Sequence, residues 1–302
     1  MNSRAARFRA LVIAAGLAFA ASASLPAIAA QDPKVPHGLD PGGLAIALIG
    51  DGVDYTDPEI AARLARDGEG EPIALDLVDG DVRPYAPSNT GRGTQLAKLL
   101  LSTYNNSRLV VVRADPNDPA SLARAAVFVS RTPSRIAAVV HWGQQEDVWL
   151  PFSQAAGQSG HVLFVVPGGD EGARSTARNF PAQLRIANAI SAAPFDPPDD
   201  QYAPPEWKDE VDAWVVGAGA TMFGIGHAKG PRDSVEAAML VAGQAACALH
   251  GAAAGEPPTA ASLKETVLKQ ARTINTNGKS VRVHDPMCLY GGVLFGGQGA
   301  RN

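Results

Sequence analysis

Ser234, His141 and Asp51 supply the three side-chain types that acyl transfer requires. A serine nucleophile needs a base to take its proton and an acid to orient that base. Each of the three stands at the edge of an apolar segment. Asp51 follows Ala-Ile-Ala-Leu-Ile-Gly at 45–50, His141 closes Ile-Ala-Ala-Val-Val at 136–140, and Ser234 heads the Ala-rich stretch 235–243. A short apolar run bounded by turn residues reads as a buried parallel strand. Ligands of open α/β sheets sit beyond the carboxyl ends of their strands. Chemistry is therefore expected just after Ile49.

The elements that must position these residues alternate strand and helix. After Gly52, Asp57 reads as an N-cap, Pro58 as a first helical residue and Glu59 as a first-turn acid, which predicts a helix over 58–66. A strand at 73–81 ends in Asp76, Asp79 and Asp81. These acids fit either a hard-cation site or a solvated turn. A strand is expected at 109–113. Helices are expected at 119–130, 150–160, 234–250 and 262–271. Ser234 and Ser262 are expected to cap the last two.

The composition bounds the answer. With 302 residues, 46% of them hydrophobic, the chain is long enough to bury the core of one α/β domain. Its 31 glycines and few aromatics suit tight helix–sheet packing. The net charge of −4 excludes a nucleic-acid binder of the basic type. Arg4, Arg7 and Arg9, an apolar run at 10–25 and Ala-Ile-Ala at 27–29 predict a signal peptide over residues 1–30. An extended segment at 31–43 and a domain at 44–302 follow. The mature chain is expected to be exported, periplasmic or secreted, with no membrane span. Cys247 and Cys288 leave two arrangements open, a disulfide or two separate buried thiols.

Several stretches, in order, resemble the signatures of the subtilisin-like serine proteases (subtilases). Ile49-Gly50-Asp51-Gly52-Val53-Asp54 resembles the first signature, with Gly50 at the position of the catalytic Asp. Gly91-Arg92-Gly93-Thr94-Gln95-Leu96-Ala97 resembles the second, with Arg92 in place of the general-base His. The stretch at 161–172 resembles the oxyanion segment, with Asp170 in place of the Asn donor. The stretch at 230–243 resembles the nucleophile helix, with Val235 where the Ser belongs. The resemblance implies a subtilisin-like three-layer α/β/α fold with a mostly parallel central sheet. It also places His141, Gly143 and Gly169 along the substrate groove.

The same comparison implies an absent chemistry. Arginine stays protonated and cannot act as a base. Asp170 would repel an oxyanion rather than donate to it. Asp51 and Ser234 are each one residue off. On a helix that offset is about 100° of rotation, and on a strand it changes the face. The expectation is a subtilase-fold pseudoprotease that binds a peptide or protein in the former groove, with Arg92 and Asp170 paired across it. Two alternatives remain: an active hydrolase with a rearranged site built on Ser234, Asp51 and His141, or a structural envelope protein with a blocked groove. No cofactor or metal is expected, and calcium is left open.

Overall fold

The structure, a computed structural model, describes residues 32–87, 91–169, 178–195, 211–216, 231–252, 257–276 and 279–284. The chain divides into units 1–32 and 33–302, and everything below belongs to the second. The expected signal peptide lies outside the described residues. Residues 32–43 carry no helix or strand. They are held by Tyr55, whose hydroxyl donates to Pro33 O at 2.8 Å, and by Arg66, which donates to Pro36 O at 2.7 Å.

The first half of the chain runs β1 (Leu44–Gly50), α1 (Pro58–Ala61), β2 (Ala74–Asp76), α2 (Gly93–Thr103) and β3 (Ser107–Arg113). It continues with α3 (Pro119–Ser130), β4 (Ile136–Val139), α4 (Glu146–Gly157) and β5 (Leu163–Pro167). Then come β6 (Ala189–Phe195), β7 (Ala213–Val216), α5 (Ser234–Gly251) and α6 (Ala260–Lys269). A hairpin of β8 (Arg272–Thr276) and β9 (Lys279–Val283) follows. The first seven strands form one sheet in the order β2-β3-β1-β4-β5-β6-β7. Every pairing in it is parallel.

Strand alternation divides the core into two layers. On β1, Ile46 and Leu48 face a cluster that includes Leu96 and Leu100 of α2 and Met239 and Val241 of α5. Ala45, Ala47 and Ile49 face the other cluster, with Leu122 and Val129 of α3 and Trp149 and Phe152 of α4. The result is a three-layer α/β/α sandwich, as the resemblance implies.

Several boundaries differ from the sequence expectation, each for a local reason. Helix α1 stops at Ala61 because the chain beyond it bonds to β3: Leu109 N donates to Arg63 O, and Ala65 N to Leu109 O. Strand β2 stops at Asp76, whose Oδ1 accepts from Val78 N and Asp79 N and forces a turn. Helix α4 starts at Glu146 and runs through Pro151. An interior proline costs about 3 kcal/mol. Burying Trp149 and Phe152 offsets this by about 1.5–3 kcal/mol each. Both rings are fully buried, and Phe152 stacks edge-on to both Trp149 and Phe164. Asp233 and Thr259, not Ser234 and Ser262, cap α5 and α6. Asp233 accepts from Glu236 N, and Thr259 from Ser262 N. Cys247 is disulfide-bonded; Cys288, the other cysteine of the sequence, lies outside the described residues.

Candidate functional site

Strands β1 and β4 are neighbours, but the chain leaves them in opposite directions. After β1 it runs to β2 at one edge of the sheet, and after β4 it runs to β5 on the other side. Such a switch point opens a crevice beyond the carboxyl ends of the two strands. Gly50 and Asp51 stand at the end of β1 and His141 follows β4; α2 starts against the β1 turn at Gly93, and Arg92 links that start to the N-terminus of α5.

Close backbone approach fixes this arrangement. A Cβ on Gly93 would lie 1.9 Å from Gly52 O, so only glycine lets α2 start against the β1 turn. Thr94 Oγ1 accepts from Asp54 N at 2.8 Å and ties the same two segments. Gly50 is buried at the end of β1. A Cβ there would lie 2.7 Å from Val140 Cγ2 and 2.8 Å from Val140 Cβ. Val140 thus occupies the space that an acid at position 50 would need.

Arg92 stands immediately before α2 and reaches across to α5. Its Nη1 meets Asp233 Oδ2 at 2.5 Å, and its Nη2 meets Glu236 Oε1 at 3.0 Å. Glu236 is also gripped by Arg232, whose main-chain N, Nε and Nη2 all donate to it. The hydrogen bond it donates to Asp233 is the main reason the Arg92 guanidinium is held even more firmly protonated than usual. Burial works to raise the Glu236 carboxyl, but hydrogen bonds and charge from Arg232, with the Arg92 charge, overcome it and leave it below its ordinary value. The predicted partner of Arg92, Asp170, lies outside the described residues. The partners found are Asp233 and Glu236, 141 and 144 positions along the chain. The capping-box spacing Asp233…Glu236 was the sequence signal for this acidic turn.

Val235, at the position the resemblance gives to the nucleophile, is buried in the core layer with α2. Ser234 is fully buried at 0% exposure. Its hydroxyl therefore presents nothing to a peptide carbonyl arriving from solvent.

Asp51 and His141 do come together. His141 Nε2 lies 3.3 Å from Asp51 Oδ1, an ion-pair distance without hydrogen-bond alignment. Burial pushes the imidazole below its ordinary pKa, and the Asp51 charge, a hydrogen bond to the Gly50 main chain and the Asp115 charge pull the other way. Beside them, Arg113 at the end of β3 pairs with the fully buried Asp76 at 3.0 Å and with Asp79. Asp81 pairs with Arg83. The acidic turn that fitted a cation site is therefore occupied by arginines. Among the described residues no three His, Cys, Asp or Glu side chains gather to hold a metal ion.

The two groove glycines have distinct roles. Gly143 spends both main-chain groups on Phe180, donating at 3.0 Å and accepting at 2.8 Å, so neither remains to pair with an added strand. Gly169 has φ 97°, and a Cβ there would meet Asn179 Nδ2 at 2.2 Å.

No protein-family model matches this chain, and no curated protein matches it. Solved structures do. A cold adapted subtilisin-like serine proteinase superposes with a TM-score of 0.53 and 18% identity, over 86% of this chain and 93% of that one. PatG macrocyclase, in complex with peptide, gives a TM-score of 0.53 and 15% identity, over 78% of this chain and 85% of that one. The fold is subtilisin-like. Identities this low speak to the fold and leave the chemistry to the residues of this chain.

Proposed function

We propose that this protein is an exported pseudoprotease of the subtilisin fold that binds peptide or protein segments without cleaving them. The observation that carries the reading is Arg92. A charged guanidinium, tied to Asp233 and Glu236, stands where the resemblance puts the general base. Gly50 and Val235 at the other two positions offer neither an acid nor a hydroxyl. Export rests on the N-terminal sequence, with its three arginines and apolar run. Peptide binding is supported by the β1–β4 switch point, where open α/β sheets take their ligands, and by the macrocyclase neighbour, which holds a peptide.

The Asp51–His141 contact is the one observation that favours a rearranged hydrolase. That reading needs a nucleophile, and the buried Ser234 is poorly placed to be one. The test is recovery of a bound peptide. The purified chain is mixed with a tryptic digest of casein, separated by gel filtration, and the co-eluting peptides are identified by mass spectrometry after brief and overnight incubation. The same intact peptides are expected at both times. New peptide termini after the long incubation would mean hydrolysis, and no co-eluting peptide would favour a purely structural role.

A further inference from the structure

A cavity of about 430 Å³ opens beyond the carboxyl ends of β1 and β3. Val78, Tyr85 and Pro116 share its lining with the charged side chains of Asp51, Arg113 and Asp115. Tyr85 is steadied by Tyr55, ring to ring at 5.1 Å. Val78 is 48% exposed, a large apolar side chain left uncovered at the rim.

The charges do not cancel. Arg113 is shared by Asp76 and Asp79, so it is already outnumbered by its own partners. Asp51 and Asp115 add two further carboxylates. His141, which contacts Asp51, is pushed toward its uncharged form by burial, against the pull of the Asp51 and Asp115 charges. The cavity is therefore net negative, with an apolar flank. Asp115 is also held in place: its Oδ1 accepts from Asn117 N at 2.9 Å. A fixed carboxylate loses little freedom when a ligand arrives.

We infer that this cavity takes the side chain of a lysine or arginine from the bound peptide. The aliphatic stem lies along Tyr85, Val78 and Pro116, and the cationic head meets Asp51 and Asp115. Long basic side chains have this shape, an apolar stem with a charge at its tip. The inference rests on the peptide-binding reading above and adds the class of residue that is read.

The test compares three capped, fluorescein-labelled peptides on the full purified chain by fluorescence anisotropy. The first is Ala-Ala-Val-Lys-Ala-Ala-Ala; the others carry norleucine or glutamate in place of the lysine. Norleucine keeps most of the stem and removes the charge. Lysine is expected to bind about tenfold more tightly than norleucine, the effect of one charge pair in a partly screened site, and glutamate more weakly than either. An Asp51→Asn, Asp115→Asn double variant is expected to bind lysine and norleucine equally. Should the double variant not fold, Asp115→Asn alone keeps the local turn and is expected to narrow the lysine preference. Equal binding of lysine and norleucine by the unmodified chain would overturn the inference and leave peptide binding intact. A lysine preference that survives both substitutions would also overturn it, by placing the cation elsewhere. Failure of all three peptides to bind would remove the peptide-binding reading, and the inference with it.

Discussion

A carboxylate restored at position 50 is expected to destabilise the fold by about 3–5 kcal/mol rather than to restore catalysis. Two effects add. Val140 Cγ2 and Cβ lie 2.7 and 2.8 Å from where the new Cβ would sit. Valine is stiff at χ1, so β4 itself must shift. The new carboxylate would also be buried, against the apolar Val140 side chain. Gly50→Ala isolates the steric part and is expected to cost about 1–3 kcal/mol. Adding Val140→Ala to Gly50→Asp is expected to recover that part. The triple variant Gly50→Asp, Arg92→His, Val235→Ser is expected to have no esterase activity while Val140 is present. Denaturant unfolding and a chromogenic ester assay check these statements. A Gly50→Asp protein as stable as its parent would mean that the strand end yields more easily than the packing implies.

Arg113→Ala is expected to cost about 3 kcal/mol, near the low end for breaking a buried ion pair, because Arg113 itself is partly exposed. Asp76 is at 0% exposure and would be left as a buried carboxyl group without its arginine. Its other oxygen would still accept from Val78 N and Asp79 N, which limits the loss. The double variant Arg113→Ala, Asp76→Asn removes the stranded carboxyl group and is expected to be more stable than Arg113→Ala alone. Urea unfolding of the three proteins measures this. Equal stability of parent and Arg113→Ala would show that water already screens Asp76.

The parts of this fold that were legible in the sequence are those set by neighbours in the chain. Apolar runs marked β1, β3 and β4. The Asp-Pro pairs at Asp57-Pro58 and Asp118-Pro119 marked the starts of α1 and α3, and both acids accept hydrogen bonds from the first turn. The resemblance placed Gly50, Arg92 and Val235, and the structure has them at the end of β1, immediately before α2 and in the long buried helix α5. What the sequence did not reveal depends on distant parts of the chain. Arg92 meets partners more than a hundred positions away, and Asp76 meets Arg113 only because β2 pairs with β3. The length of α1 was misjudged because β3 competes for its backbone hydrogen bonds. Ser234 was read as the cap of α5, but the neighbouring Asp233 has the stronger claim, accepting from Glu236 N at 2.9 Å.

The proximity of Asp51 to His141 is the part of the rearranged-site alternative that the structure does bring together. Ninety positions separate them in sequence, and the switch point brings them together. Their pairing puts half of a hydrolytic apparatus beside a crevice that holds no exposed serine on α5.

The most direct measurement is labelling of the purified chain with a fluorophosphonate probe, beside a Ser234→Ala variant and an active subtilisin as a positive control. The probe reacts with a serine hydroxyl only when a base activates it. With Arg92 locked to Asp233 and Glu236 and Ser234 buried, neither protein is expected to be labelled while the control is. Labelling of the unmodified chain that disappears in Ser234→Ala would make Ser234 an activated nucleophile and would contradict the account.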